Sequence, residues 1–350
     1  MWDEFVHQSL PMRVVFGAGT STRLGAEVER LGLDRVLVLT TPEQETLGRR
    51  VAEGLGARSA GVYPHARMHV PVEVAARARD ATAELGADGC VAVGGGSTIG
   101  LGKAIALEHG LPVIAVPTTY AGSEMTPIWG LTEGGRKRTG RDPAVLPRSV
   151  VYDPELTLTL PVPLSVTSGF NALAHAVEGL YAPDASPITS LMAREGAQAL
   201  LEALPQVSTR PADLDGRTRA QYGAWLCGAV LGATTMSLHH KLCHVLGGTF
   251  DLPHAEVHTV VLPHVVAFNA GASPALASLF GSDPGGVLWD LAAKLGAPRS
   301  LAELGMPESG TAEVVRQATA APYANPRPVT EDDLARLVEA ARRGERPTSS

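Results

Sequence analysis

The chain has 350 residues, of which 45% are hydrophobic and 19% charged, and its formal net charge at pH 7 is -7. This composition is typical of a folded protein that is long enough for two domains, and it excludes disorder as the overall state. The negative charge argues against nucleic acid as a partner, because phosphate binding requires a basic surface.

The cysteines and the N-terminal residues indicate where the protein resides. Cys90, Cys227 and Cys243 are widely separated and form no C-x-x-C pair, which favours a reducing compartment. Asp3 and Glu4 stand where a signal peptide would carry positive charge, and no apolar run approaches the roughly 20 residues that span a bilayer. We therefore expect a cytoplasmic protein with no membrane partner.

The first 155 residues alternate between short apolar runs and helical patterns. Strands are predicted at Arg13–Phe16, Arg35–Thr40, Gly89–Val93, Pro112–Val116 and Ser149–Tyr152. Helices are predicted between them, for example at Val72–Leu85 and Thr98–Glu108. This order of elements predicts βαβ units and a doubly wound, Rossmann-like parallel sheet.

The character of the chain changes near residue 160. A proline-rich connector, Leu160-Pro161-Val162-Pro163, is followed by segments rich in Ala and Leu. Helices are predicted at Ser168–Tyr181, Thr189–Leu204 and Arg217–Leu231. The fold class is therefore α/β plus all-α, with a dinucleotide-binding domain over residues 1–159 and a helical catalytic domain over residues 160–350.

A glycine-rich turn follows the predicted strand that ends at Val93. Its residues are Gly94, Gly95, Gly96 and Ser97, with Thr98 next, and Ser97 is expected to cap the following helix. Glycines allow a ligand to approach the backbone closely, and the first amides of a helix attract phosphate. The same pattern also occurs in turns that bind nothing.

The next predicted strand also ends in a polar turn, which contains Thr118, Thr119, Tyr120 and Ser123. Open parallel sheets bind ligands at the carboxyl ends of their strands, and two neighbouring turns favour one extended ligand such as a dinucleotide. The usual G-x-G-x-x-G pattern is absent, since Gly17-Ala18-Gly19 has only its first two glycines.

Polar residues in the second half recur at helical spacing. Asn171 and His175 are four residues apart, as are His240 and His244, and His254 follows ten residues later. Such spacing places each pair on one helix face. It is compatible with a metal site, a metal-free catalytic cluster or a structural polar core.

These motifs, in this order across residues 13–268, resemble those of the iron-containing alcohol dehydrogenases, which have the dehydroquinate synthase-like fold. The resemblance implies a nicotinamide cofactor, NADH or NADPH, and a homodimer. It implies that His244 lies near the reacting carbon and that Lys137 meets the nucleotide. It also implies that Asn171, His175, His240 and His254 occupy the positions of the family's metal ligands.

Two departures refine the resemblance. Asn171 replaces the family's metal-binding aspartate, and Gly100 replaces an aspartate in the helix after the glycine-rich turn. Both changes are similar to the maleylacetate reductases, as are the segments Arg13–Gly19, Ala121–Thr126, Lys137–Pro143 and His239–His244. An amide is a poorer ligand than a carboxylate for a hard cation, which argues against a bound metal; if one is present, His175, His240 and His254 are its ligands.

This resemblance implies NAD(P)H-dependent reduction of the enone double bond of maleylacetate to 3-oxoadipate, a step in the catabolism of aromatic compounds. We expect His244 to donate the proton, with His240 and His254 as partners and His175 as an orienting group. The dicarboxylate substrate requires cations, for which Lys241 and then Arg141 are the candidates, beside Asn171. Lys241 is equally compatible with a solvated helix position.

Two other functions remain open on the sequence alone. One is a metal-dependent alcohol or polyol dehydrogenase of the same superfamily, and the other is a nucleotide-binding regulator without catalysis. Coenzyme choice is predicted from Thr41, which follows the second strand where the adenosine ribose is expected. Because a neutral hydroxyl there neither repels nor attracts a 2′-phosphate, we expect both NADH and NADPH to be used.

Overall fold

The computed structural model describes residues 5–134 and 136–348, and of residues 136 and 137 it describes only the backbone. The chain divides into two compact units. One runs from Ser9 to Leu160 and also includes Ala212–Gln221; the other contains the segment up to Gln8, Pro161–Pro211 and the chain from Tyr222 onward. The predicted single boundary near residue 160 thus assigns two segments, the one up to Gln8 and Ala212–Gln221, to the other unit. Which unit binds the cofactor and which is catalytic stays a prediction.

The first unit is an α/β unit built on a six-stranded sheet. Its strands are β1 (Arg13–Phe16), β2 (Val36–Leu39), β3 (Ser59–Tyr63), β4 (Gly89–Gly94), β5 (Val113–Pro117) and β8 (Ser149–Tyr152), and a separate hairpin pairs β6 (Ile128–Glu133) with β7 (Arg136–Arg141). The helices of this unit are α1 (Leu24–Arg30), α2 (Glu45–Leu55), α3 (Val72–Glu84) and α4 (Gly96–His109).

The sheet runs in the order β1-β8-β5-β4-β2-β3, and all of its pairs are parallel. Its inner strands are covered on both faces, which is why β2 and β4 are apolar along their length. Fully burying one such valine or leucine contributes about 1.5–3 kcal/mol. The predicted doubly wound parallel sheet is confirmed.

The second unit is helical. It contains α5 (Val162–Gly179), α6 (Pro187–Thr209), most of α7 (Leu214–Ala233), α8 (Leu238–Phe250), α9 (His254–Asn269), α10 (Pro274–Phe280), α11 (Pro284–Lys294), α12 (Gly310–Thr319) and α13 (Glu331–Arg343). Helices α8, α9, α12 and α13 share an apolar core that includes Leu242, Val261, Val314 and Leu337. In the part of the chain that is described, no helix combines the length and apolarity required to traverse a bilayer.

Three local features differ from the sequence expectations. Strand β3 and the β6–β7 hairpin were not predicted, because β3 is a half-buried edge strand and the hairpin is rich in charged and small residues. The expected connector at Leu160–Pro163 is wrong in part, since α5 already begins at Val162 with Pro161 as its N-cap. Proline fits there because the first turn of a helix requires no N–H donors.

Candidate active site

The order in which the chain adds strands to the sheet reverses between β2 and β4, which are parallel, hydrogen-bonded neighbours. Strand β3 lies on one side of this pair, whereas β5, β8 and β1 lie on the other. Such a reversal opens a crevice at the carboxyl ends of the two strands, where open α/β sheets bind ligands. The turn at Thr41 and the turn at Gly94–Ser97 follow these two ends.

The glycine-rich turn is closely packed. A Cβ atom on Gly94 would collide with Thr98 Oγ1, and one on Gly95 would lie 2.9 Å from Thr119 Cγ2. Helix α4 begins at Gly96 with Gly95 as its N-cap, so the expectation that Ser97 caps this helix is wrong. Ser97 belongs instead to the first turn. There Thr98 N–H donates to Gly95 O at 3.1 Å, whereas the N–H groups of Gly96 and Ser97 have no acceptor within the helix and can bind an anion.

The second predicted turn is joined to the first. Thr118 donates its backbone N–H to Gly94 O at 3.1 Å, and its hydroxyl accepts a hydrogen bond from Gln44 Nε2 at 2.9 Å. Gln44 therefore connects the ends of β2 and β5. This role could not be predicted from the sequence, because the two residues are 74 positions apart.

Tyr120 is fully buried in the second turn. Its hydroxyl accepts a hydrogen bond from Arg217 Nη1 at 3.3 Å, and Arg217 Nη2 also donates to Leu160 O at 2.9 Å. Gln221 Nε2 donates to Pro117 O at 3.1 Å. The first part of α7 thus holds this turn in place. The ring of Tyr120 is enclosed by the protein, and its contact with the cofactor stays a prediction.

The turn after β2 contains an acidic group near Thr41. The Thr41 hydroxyl and the backbone of Glu43 donate hydrogen bonds to the Glu43 carboxylate and lower the pKa of that exposed carboxyl. A carboxylate thus lies beside the neutral hydroxyl on which the coenzyme prediction rests. This feature bears on coenzyme choice.

Two predicted cations lie on strand β7. Arg141 is exposed at its end, and the backbone of Lys137 pairs with Thr132 of β6. The side chain of Lys137 lies outside the described part of the structure. The nucleotide contact of Lys137 and the substrate contact of Arg141 stay predictions.

Gly100, the second departure from the family pattern, packs against an unusual segment. A Cβ atom on Gly100 would lie 2.8 Å from Val70 Cγ2. His69 and Val70 have φ angles of 63° and 47°, a region that β-branched residues rarely adopt. Thr132 holds the segment, since its hydroxyl donates to His69 O and its N–H to Val70 O.

In the helical unit, three helices supply the predicted histidines. Asn171 and His175 lie one turn apart on α5 and are buried, whereas His240 and His244 lie one turn apart on α8. The rings of His175 and His240 stack with centroids 5.2 Å apart, and those of His240 and His244 are 6.2 Å apart. His254 is the first residue of α9.

Glu178 organises this cluster and was missed by sequence reasoning. Its buried carboxylate accepts hydrogen bonds from His240 Nδ1 at 2.6 Å, Ser237 N at 2.9 Å and His239 N at 2.7 Å. It therefore fixes the ring of His240 and also supplies an acceptor to the N-terminus of α8. The only signal in the sequence is that Glu178 follows His175 by three positions on the same helix.

Two further histidines complete the cluster. His258 is fully buried, and its ring centroid lies 4.4 Å from that of His254 and 5.0 Å from that of His240. His258 Nδ1 shares a hydrogen bond of 2.9 Å with His239 Nε2, and Cys243 Sγ lies 3.5 Å from the same nitrogen. The i, i+4 spacing of His254 and His258 could have indicated this placement.

The histidines differ in their ability to carry charge. Burial, and then neighbouring histidines, lower the pKa values of His175, His239 and His258 well below the usual value. These three rings are therefore neutral near pH 7. His244 is exposed and His254 is half-buried, so these two can exchange protons with solvent.

The residues at the family's metal positions do not fit a hard divalent cation well. Three imidazoles and the Asn171 amide provide no anionic ligand, and Glu178 is engaged with His240 and the α8 amides. Among the described residues, the potential metal-ligand atoms that lie within 4.8 Å of one another belong to a different set, namely His239, Cys243 and His258. In that group the two imidazole nitrogens are hydrogen-bonded to each other.

The chain is similar to known proteins along its whole length. A maleylacetate reductase from Burkholderia cepacia is 55% identical and covers 98% of this chain and 99% of its own length. The crystal structure of maleylacetate reductase from Agrobacterium tumefaciens is 52% identical, with a TM-score of 0.95 and coverage of 99% of this chain and 100% of its own. That from Rhizobium is 53% identical, with the same TM-score and coverage.

Family models agree with these similarities. The model for iron-containing alcohol dehydrogenase matches residues 11–154, and the model for the C-terminal part of the Fe-containing alcohol dehydrogenase family matches residues 165–342. The chain therefore belongs to the iron-containing alcohol dehydrogenase family, in which it groups with the maleylacetate reductases.

Proposed function

We propose that the protein reduces the carbon–carbon double bond of maleylacetate, a small dicarboxylate enone, to give 3-oxoadipate. The observation that carries the proposal is the sequence identity of 55% to a maleylacetate reductase over 98% of this chain. The aspartate-to-asparagine change at Asn171 supports it, because conjugate reduction can proceed with hydrogen-bond donors in place of a metal.

The α/β unit offers the groups that a nicotinamide dinucleotide requires. The packed glycines at 94 and 95 and the first amides of α4 suit a pyrophosphate, and the turn at Thr118 and Thr119 extends the same edge of the sheet. When bound, the dihydronicotinamide supplies the hydride. The protein residues must then hold the substrate and provide one proton.

Addition of hydride to an enone places negative charge on the ketone oxygen, and one carbon must then gain a proton. His240 is oriented by Glu178, and its Nε2 atom is buried without a hydrogen-bond partner in the described part of the protein. With both ring nitrogens protonated, His240 can donate from Nε2 to the ketone oxygen while Nδ1 donates to Glu178. His244 is exposed and can regain a proton from water, so we assign it the donation to carbon.

The substrate carries two carboxylates, which require cations or hydrogen-bond donors. Lys241 is half-buried and lies between His240 and His244 in sequence on α8. We assign it one carboxylate, and we assign the other to Arg141.

The turn after β2 favours NADH. The Glu43 carboxylate beside the Thr41 hydroxyl would repel a 2′-phosphate and accept a hydrogen bond from a ribose 2′-hydroxyl. We therefore propose that both coenzymes are used, with NADH preferred.

The direct test is the oxidation of NADH by the purified protein in the presence of maleylacetate, followed by identification of the product. We expect one 3-oxoadipate for each NADH consumed. Absence of turnover with maleylacetate, together with metal-dependent oxidation of simple alcohols, would show that the protein is an alcohol dehydrogenase instead.

A further inference from the structure

Lys103 is a fully buried lysine on α4, seven residues after the helix begins at Gly96. Its ammonium group donates to three backbone carbonyls, at 2.6 Å to Ser123 O, 2.8 Å to Thr126 O and 2.7 Å to Ile128 O. The hydroxyls of Thr126 and Ser123 lie at 3.0 Å and 3.4 Å. Five oxygen atoms therefore surround one cation.

These oxygen atoms belong to one continuous segment. Residues 123–128 directly continue the second turn, which begins after β5 at Thr118, and they lead into β6. Lys103 is carried by the helix whose N-terminus forms the first turn. A single side chain thus connects the helix of the first turn to the end of the second.

The three carbonyl acceptors around Lys103 require its ammonium form, in spite of its burial. Burial lowers the pKa of Lys103 to about 7, and the carboxylate of buried Glu124 acts in the opposite direction. Three carbonyls require three N–H donors, which only the ammonium form supplies. Without this cation, Thr126 O and Ile128 O would lose this donor, which is costly for buried groups, whereas Ser123 O would still accept from the N–H and the hydroxyl of Thr126.

We propose that Lys103 is a positioning residue for the cofactor site, which it maintains by holding residues 123–128 so that the first and second turns form one binding edge. The proposal rests on the proposed function in so far as the ligand is a nicotinamide dinucleotide. The anchoring of the segment can be tested without any ligand.

The decisive variant is Lys103→Ala, because it removes a propylammonium group that can be added back in solution. In the apoprotein, we expect faster amide hydrogen exchange across residues 119–128, with unchanged exchange in α8 and α9. The Kd for NADH, measured by its fluorescence, should rise on the order of tenfold, the scale of a lost charge-assisted hydrogen bond. Added n-propylammonium should restore both readouts, whereas tetramethylammonium at equal ionic strength should not.

Matched variants separate positioning from general stability. Lys294→Met changes an exposed lysine of α11 and should leave both readouts unchanged, whereas Lys103→Met preserves length without charge and should resist rescue. If Lys103→Ala does not fold, Thr126→Val removes one hydroxyl, which contacts Lys103 Nζ, Ser123 O and Ile128 N, and should show a smaller effect in the same segment.

The proposal is wrong if the exchange of residues 119–128 is unchanged, or if it increases while the Kd for NADH does not. A failure of the proposed function is distinct, because the unaltered protein would then not oxidise NADH in the presence of maleylacetate, while the exchange difference persisted.

Discussion

The two turns of the α/β unit and the histidine cluster of the helical unit are built in opposite ways. The turns present backbone groups, and their shape depends on the absence of side chains at Gly94 and Gly95. The cluster presents side chains, and its shape depends on a buried carboxylate, Glu178, that orients His240. The first arrangement can bind a charged ligand with little titratable chemistry of its own, whereas the second can move protons. Substitutions should therefore affect binding in one unit and turnover in the other.

The largest effect is expected at the exposed histidine of the cluster. His244→Ala should lower kcat by on the order of 100-fold or more, because it removes the group that we assign to proton donation. The Kd for NADH should not change. His109→Ala, at the exposed end of α4, is the control for removal of a solvent-accessible imidazole. A nearly normal kcat for His244→Ala would mean that another group donates the proton, for which half-buried His254 is the next candidate.

Glu178→Gln should affect both turnover and stability. The Glu178 carboxylate now accepts hydrogen bonds from three N–H groups. The glutamine amide has only one oxygen, and its NH₂ group would face one of these donors. At least one buried N–H group would therefore lose its acceptor. We expect the free energy of unfolding to fall by about 1–3 kcal/mol and kcat to fall about tenfold. Denaturant titration and steady-state kinetics would measure these changes, with exposed Glu308→Gln as the control. Full activity in Glu178→Gln would show that His240 does not depend on this orientation.

The glycines of the first turn provide a matched pair. Gly95→Ala forces a methyl group to within 2.9 Å of Thr119 Cγ2, whereas Gly96→Ala meets its nearest neighbour, Ala121 Cβ, at 3.8 Å. We expect Gly95→Ala to raise the Kd for NADH about tenfold, equivalent to about 1.4 kcal/mol, and to lower the melting temperature. Gly96→Ala should keep the melting temperature. If Gly96→Ala nevertheless weakens NADH binding, its backbone contacts the ligand directly; equal behaviour in both assays would contradict the packing argument.

Coenzyme choice should respond modestly to Glu43. Glu43→Gln removes the carboxylate beside the Thr41 hydroxyl and should improve the kcat/KM ratio of NADPH to NADH by up to about fivefold, since exposed charges interact weakly. Glu53→Gln changes a second exposed carboxylate, on α2, and should leave the ratio unchanged. An unchanged ratio in Glu43→Gln would mean that this carboxylate does not face the ribose.

The smallest effect is expected from a chelator. Because the cluster provides no carboxylate for a metal at Asn171, prolonged treatment with a strong chelator should leave kcat unchanged. Asn171→Asp should raise the affinity for zinc, which metal analysis after dialysis would detect. Complete loss of activity on chelation, reversed by zinc or iron, would show that the wild-type imidazoles and amide bind a catalytic metal.

The same comparison explains what the sequence could predict. The two turns were found because their glycines, threonines and strand ends are neighbours in the chain. The histidines were found because their i, i+4 spacing places them on common helix faces. Gln44, Arg217 and Glu178 were not found, since each acts on a partner 62 to 97 positions away. Their side chains acquire a role only when folding brings distant segments together.

The contact between Gly100 and Val70 makes the two positions interdependent. A Cβ atom at position 100 would lie 2.8 Å from Val70 Cγ2, and Val70 already has a positive φ angle of 47°. Any side chain at position 100 therefore requires a shift or a smaller residue at position 70. A redesign of this helix would have to change both positions together, because the effect of either substitution depends on the other.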